Sequence, residues 1–218
     1  MEWQKRFSLA VGVLSVADIV LLIFRIVLTG SHRYSFIPWN LFLAWVSLVL
    51  TGILVRHITR ARWLSWPNIG LSILWLAFLP NTFYVLTDFI HVTATAEISQ
   101  LYDIVLVSLM VFIGFILGLA NLFMVHRELL KRLSVTASYA AIEAVILICS
   151  FAIYVGRDLR WNTWDVIANP GGVLVNVSNS IDPFGNPRAF NVTFLFFILI
   201  SVLYLAFWIF TYPSKGRR

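Results

Sequence analysis

The chain has 218 residues, 60% of them hydrophobic and only 12% charged, with a mean hydropathy of +0.88. A soluble domain carries about 25% charged residues, so this composition excludes a water-facing globule and predicts a polytopic membrane protein. The formal charge of +6 comes from basic residues at segment ends, where it orients helices in a bilayer; it is no sign of nucleic-acid binding.

In chain order, apolar runs predict six transmembrane helices over residues 7–28, 38–55, 67–87, 102–125, 135–156 and 189–210. Each approaches the ~20 residues needed to cross the hydrocarbon. The fold class is therefore all-α: a six-span membrane bundle, read as one integral membrane domain over residues 1–218. The start has a basic flank like a signal peptide, but the run after it is full-span length, holds Asp18 and Arg25, and lacks a small-x-small cleavage site. We read an uncleaved first helix. The single cysteine, Cys149, excludes an internal disulfide and reads as a small core residue.

Orientation follows from Lys and Arg outside the spans. Lys5, Arg6, Arg56, Arg60, Arg62, Arg127, Lys131, Arg132, Lys215, Arg217 and Arg218 fall on one side, eleven in all, against Arg33, Arg157, Arg160 and Arg188 on the other. The positive-inside rule places both termini in the cytoplasm. Trp3, Trp39, Trp63, Trp66, Trp161 and Trp164 fall near span ends, as an interfacial aromatic belt requires. The expected location is the cytoplasmic (inner) membrane of a bacterium, multi-pass.

The third span ends on L-P-N-T-F-Y-V-L-T-D-F-I-H, residues 79–91. Pro80 predicts a kink or a break, the latter being the form transporters use around binding sites. Asn81, Tyr84, Asp88 and His91 are spaced by three, four and three, which on an α-helix gives them one face. Phe83, Leu86 and Ile90 take the other, toward lipid or a neighbouring helix. Thr87 completes the polar set. Asp88 and His91 suit an acid–base pair or two metal ligands, yet a zinc centre takes at least three protein ligands. His32, Asp103, Asp158 and Asp165 are the further candidates on that side, without H-x-x-x-H or C-x-x-C spacing, so neither metal nor cofactor is assigned. The plainer reading has Asp88 and His91 binding water, capping helix ends and pairing with Arg157 or Arg160.

A second polar stretch, G-R-D-L-R-W-N-T-W-D, follows the fifth span at residues 156–165. It opens a long extracytoplasmic segment, 157–188, expected to lie on the interface or re-enter the membrane. Asn169-Pro170 gives a helix start, and Val173, Leu174, Val177 and Ile181 an apolar stripe. Arg157 and Arg160 carry forks suited to phosphate or carboxylate, and interfacial tryptophans beside them suit an anionic lipid headgroup or lipid-linked phosphate. Within the hydrocarbon, Asp18, Arg25, Asn121 and Glu143 are polar. Asp18 and Arg25 are expected to find partners on other helices, and Asn121 to reach Glu143 at similar depth.

The motif at residues 79–91, followed by G-R-D-L-R-W-N-T-W-D, resembles an uncharacterised family of bacterial integral membrane proteins, catalogued as a domain of unknown function. Its patterns are L-P-N-x-x-Y-x-x-T-D and G-R-x-L-R-W-N-x-W-D, and the resemblance covers essentially the whole chain. It implies a multi-span membrane protein and supplies no activity. It marks Asn81, Tyr84, Thr87, Asp88, Arg160, Trp161, Asn162 and Trp164 as family-like positions.

Three function classes stay open. The first is a binding or transport-type protein with a polar pocket on the outer face for a small anionic or lipid-linked ligand, lined by Thr87, Asp88, His91, Arg157 and Arg160, with Trp161, Asn162, Trp164 and Asp165 nearby. The second is a membrane enzyme acting on a lipid or lipid-linked substrate through an Asp88–His91 acid–base pair. The third is an interaction subunit docking a membrane protein partner. Membrane lipids are partners in all three.

Overall fold

The structure is a computed structural model that describes residues 2–60, 63, 65–95, 97–159, 171–172 and 187–211. The described residues contain helices and no strands, and six helical stretches are long and apolar enough to cross a membrane. This is a multi-pass membrane protein.

The elements are α1 (Glu2–Thr29), α2 (Ile37–Arg60), α3 (Trp66–Phe78), a short α4 (Asn81–Tyr84) that runs into a 3₁₀ helix (Val85–His91), α5 (Gln100–Leu129), α6 (Val135–Asp158) and α7 (Pro187–Thr211). Helical stretches lie over all six apolar runs and extend up to five residues beyond them, the third being broken into α3, α4 and the 3₁₀ helix. Local chemistry sets several ends. Gly30, at φ 66°, closes α1 in the left-handed conformation, with its N–H donating to the Ile26 carbonyl. Pro67 opens α3 in its first turn, and the Ser134 hydroxyl caps α6 by accepting from the Ala137 N–H. Trp39 and Trp66, at opposite ends of the bundle, are 51% and 86% exposed, as interfacial anchors are.

At the centre is α5. Half of its apolar stretch is buried, against 22% for α1 and α7. It packs on α2 and α1, while α3 lies on α2 and α7 pairs with α6. One core cluster joins α1, α2 and the first half of α5 through Leu22, Leu41, Ala44, Leu106 and Met110. A second joins the other half of α5 to α6 and α7 through Phe123, Ile146, Ile200 and Trp208. Cys149 lies in the second, buried and free.

Between these halves sits the broken third span. Proline has no N–H and cannot continue a ladder, so α3 stops at Phe78. Around the break side chains donate to nearby carbonyls: Asn81 Nδ2 to Phe78 at 3.1 Å, Thr82 Oγ1 to Leu79 at 2.7 Å and Thr87 Oγ1 to Tyr84 at 2.8 Å. A backbone in lipid must satisfy its polar groups this way.

The break fits because α5 presents Gly114 and Gly118. A Cβ on Gly114 would stand 2.6 Å from the Thr82 carbonyl oxygen, and one on Gly118 would stand 2.5 Å from both the Phe83 ring and Thr82 Oγ1. Small residues four apart let two segments of backbone approach this closely. Gly114→Ala meets rigid backbone, so we expect it to destabilise by about 1–3 kcal/mol, as overpacking does. Thermal unfolding in detergent should show a lowered midpoint, while Gly70→Ala, which meets nothing within 4 Å, leaves it unchanged.

Candidate functional site

At one end of the bundle lie the end of α1, the 30–36 connection, the 3₁₀ helix, the start of α5, the end of α6 and the start of α7.

The 3₁₀ helix sets the geometry of the sequence-predicted stripe. With three residues per turn, side chains three apart eclipse, so Val85, Asp88 and His91 line up while Asp88 falls a third of a turn away from Tyr84. The expected common face of Asn81, Tyr84, Asp88 and His91 is therefore not formed; the α-helical spacing fails where the helix tightens. Asp88 is 4% exposed and accepts from Asn40 Nδ2 on α2 at 2.7 Å. His91 is exposed at the rim, its ring 5.3 Å from that of Phe36. Arg157, in the last turn of α6, acts electrostatically on both Asp88 and His91, and Arg33 acts on His91 as well.

Of the predicted site residues, Asp88 and His91 share the 3₁₀ helix, and Arg157 lies within electrostatic range of both. Asn81 and Thr87 face their own backbone, and Tyr84 packs on the core. Phe83, expected to meet lipid or a neighbouring helix, meets the helix: it is buried edge-on to Phe115 of α5. Arg160, Trp161, Asn162, Trp164 and Asp165, with the amphipathic stripe at 173–181, lie outside the described residues. Among the described residues no three His, Cys, Asp or Glu side chains gather to hold a metal ion.

Beside this set stands an ionic clasp. The Arg25 guanidinium, fully buried, binds Asp103 through Nε at 2.7 Å and Nη2 at 3.3 Å, and reaches Glu97 at 3.3 Å. It lies 4.6 Å from the centre of the Tyr34 ring. Tyr34 donates to Asp103 Oδ2 at 3.1 Å. Burial first, then that carboxylate, push its phenol up to about 12, so it stays a donor at neutral pH. Arg33 donates to Thr93 at 2.6 Å, and Arg188 pairs with Asp158 at 2.6 Å, tying α7 to the end of α6.

The other intramembrane groups are arranged differently from expectation. Arg25 finds its partner on another helix. Asp18 has none among the described residues: both its carboxyl oxygens are buried without a hydrogen bond. Its neighbours along α1 are engaged elsewhere, Ser15 with Val11 and Trp45, Arg25 with the acids above. Asn121 does not reach Glu143. It donates to Ser47 of α2 at 2.9 Å, whereas Glu143 accepts from Ser201 of α7 at 2.6 Å, because α6 pairs with α7 and α5 faces α2.

Sequence reasoning missed Asn40, Tyr34 and the role of Asp103. Asn40 lies in the first turn of α2, directly after Pro38-Trp39, and nothing in its spacing links it to Asp88. Removing one partner from a buried, hydrogen-bonded ion pair costs about 3–5 kcal/mol. Arg25→Ala and Asp103→Ala should each lower the unfolding midpoint sharply. In a double-mutant cycle the losses should be far from additive, and additive losses would mean that the two do not act as a pair.

A family model described as "Protein of unknown function (DUF1361)" matches residues 39–213. That stretch runs from the start of α2 through α7 and includes Asn40, Asp88, His91, Arg157 and both α5 glycines. None of the curated proteins and none of the solved structures matches the chain. The chain therefore belongs to the family of proteins of unknown function DUF1361.

Proposed function

We propose that this protein binds a small anionic or lipid-linked ligand at the end of the bundle that carries Asp88, His91 and Arg157. The observation that carries this reading is the buried Asp88 carboxylate. It is held by Asn40, with the Arg157 guanidinium close enough to act on it and on the exposed His91. Ionisable groups inside a membrane protein are costly and gather at functional sites. A guanidinium fork has the donors that a phosphate or carboxylate of a ligand takes. The family-like positions Arg160, Trp161, Asn162 and Trp164, with Asp165, are candidates for the same ligand on the sequence alone. Asn81, Tyr84 and Thr87 contribute by holding the broken span in shape.

Eleven basic residues against four favour an orientation with both termini in the cytoplasm. The site then faces the extracytoplasmic side of a bacterial inner membrane, where an anionic headgroup or a lipid-linked phosphate would approach along the interface.

An enzymatic reading draws on the same residues. Asp88 and His91 eclipse one another on the 3₁₀ helix, an arrangement open to general acid–base work. The two readings part on turnover, and a protein partner docked on this face would show as a stoichiometric companion on purification. The test takes the full-length protein with a polar lipid extract, with an undecaprenyl-type phosphate, and with small anionic metabolites, reading thermal stabilisation. We expect one of these to raise the midpoint of the wild type. Arg157→Ala should keep the ligand-free midpoint and lose the response. If no extract or anion stabilises the wild type, the reading fails. If product forms and Asp88→Asn stops it, the enzymatic reading replaces it.

A further inference from the structure

At the opposite end of the bundle a cleft of about 370 Å³ lies between α1, α2 and α5. Phe7, Trp45, Leu48 and Met124 wall it, with Gly52 and Arg56 along the same side of α2. Val49 and Ile53 also line it and are 57% and 38% exposed, so the cleft opens on the outer surface of the bundle, where lipid lies. The volume falls in the range of ligand sites, about 300–1,000 Å³.

Its lining selects the occupant. Along α2 it runs from Trp45 to Arg56, eleven residues or about 16 Å at helical rise. Apart from Ser8 and Arg56 the lining residues are apolar, the surface that a hydrocarbon chain takes.

Its charge selects the headgroup. Arg56 is part of the lining. Arg56 lies near the end of α2, beyond the apolar lining residues Trp45, Leu48 and Val49, so the basic group stands at one end of an apolar wall. Basic pockets between membrane helices bind anionic lipid headgroups, and a guanidinium fork matches a phosphate.

We infer that this cleft is a binding site for an anionic phospholipid of the adjacent leaflet, with one acyl chain against Trp45 and Leu48 and the phosphate on Arg56. It is separate from the Asp88 site and stands whether or not that site binds a ligand. Gly52 keeps the channel open: a Cβ there would meet nothing within 4 Å. Gly52→Leu therefore brings a side chain into the cleft from a Cβ that is clear of the protein.

The test titrates delipidated full-length protein with phosphatidylglycerol, phosphatidylcholine, a free fatty acid or inorganic phosphate, reading thermal stability and bound lipid by native mass spectrometry. Phosphatidylglycerol should form a one-lipid adduct and raise the midpoint; the other three should do neither to a comparable degree. Arg56→Ala removes a charge-assisted contact and should weaken the phosphatidylglycerol response by about tenfold or more. Gly52→Leu should abolish it while the lipid-free midpoint stays that of the wild type; should that midpoint fall instead, Arg56→Ala decides alone. Equal stabilisation by phosphatidylcholine, by fatty acid or by phosphate overturns the inference. So does a response that persists in both variants, or a protein dimer in place of the lipid adduct.

Discussion

A membrane interior offers no water to an unpaired backbone group, and Pro80, without an N–H, breaks the helical ladder in the third span. Around the break three side chains, Asn81, Thr82 and Thr87, donate to the carbonyls of Phe78, Leu79 and Tyr84. The resulting segment is bulky and irregular, and it needs a place to lie. Gly114 and Gly118 supply it, four residues apart on the most buried helix of the bundle. The 3₁₀ segment that follows rests on this seat. It directs Asp88 inward to Asn40 and leaves His91 at the rim.

The ionic clasp of Arg25, Asp103, Glu97 and Tyr34 works beside it on a different problem. It ties the end of α1 to the start of α5 and to both intervening connections. A buried guanidinium is tolerable only when its donors are taken, and here two carboxylates and an aromatic face take them. The polar end is thereby held from two sides, by the break seated on α5 and by the clasp. A binding site built there has rigid walls before any ligand arrives, which reduces the cost of ordering on binding.

Much of this architecture is legible in the sequence. Six apolar runs give six spans, because hydrocarbon thickness and helical rise leave little freedom. Pro80 marks the break for the same reason. Asp88, His91 and Arg157 are readable as a group once the spans are counted, since topology alone brings the ends of the third and fifth to one side. The rest is lost for identifiable reasons. The four-residue stripe of Asn81, Tyr84, Asp88 and His91 assumes 3.6 residues per turn, and the chain tightens to three. Asn40 is one amide in the first turn of a helix, with no periodicity to mark it. The spacing G-F-I-L-G at 114–118 is visible in the sequence, but what it accommodates is a backbone thirty residues away. Asn121 and Glu143 have the right depth for each other, yet helix pairing, which depth does not determine, gives them Ser47 and Ser201.

The 3₁₀ turn through Asp88 is the feature on which both the site and its proposed role rest, and its periodicity can be measured. Nitroxide labels placed one at a time along residues 79–91, in a Cys149→Ser background, report collision with oxygen and with an aqueous relaxer. The account predicts protection at Val85 and again three residues later at Asp88, with Ile90 and His91 open. A protection pattern repeating every 3.6 residues through His91, with Asp88 as accessible as its neighbours, would describe a continuous α-helix and contradict it.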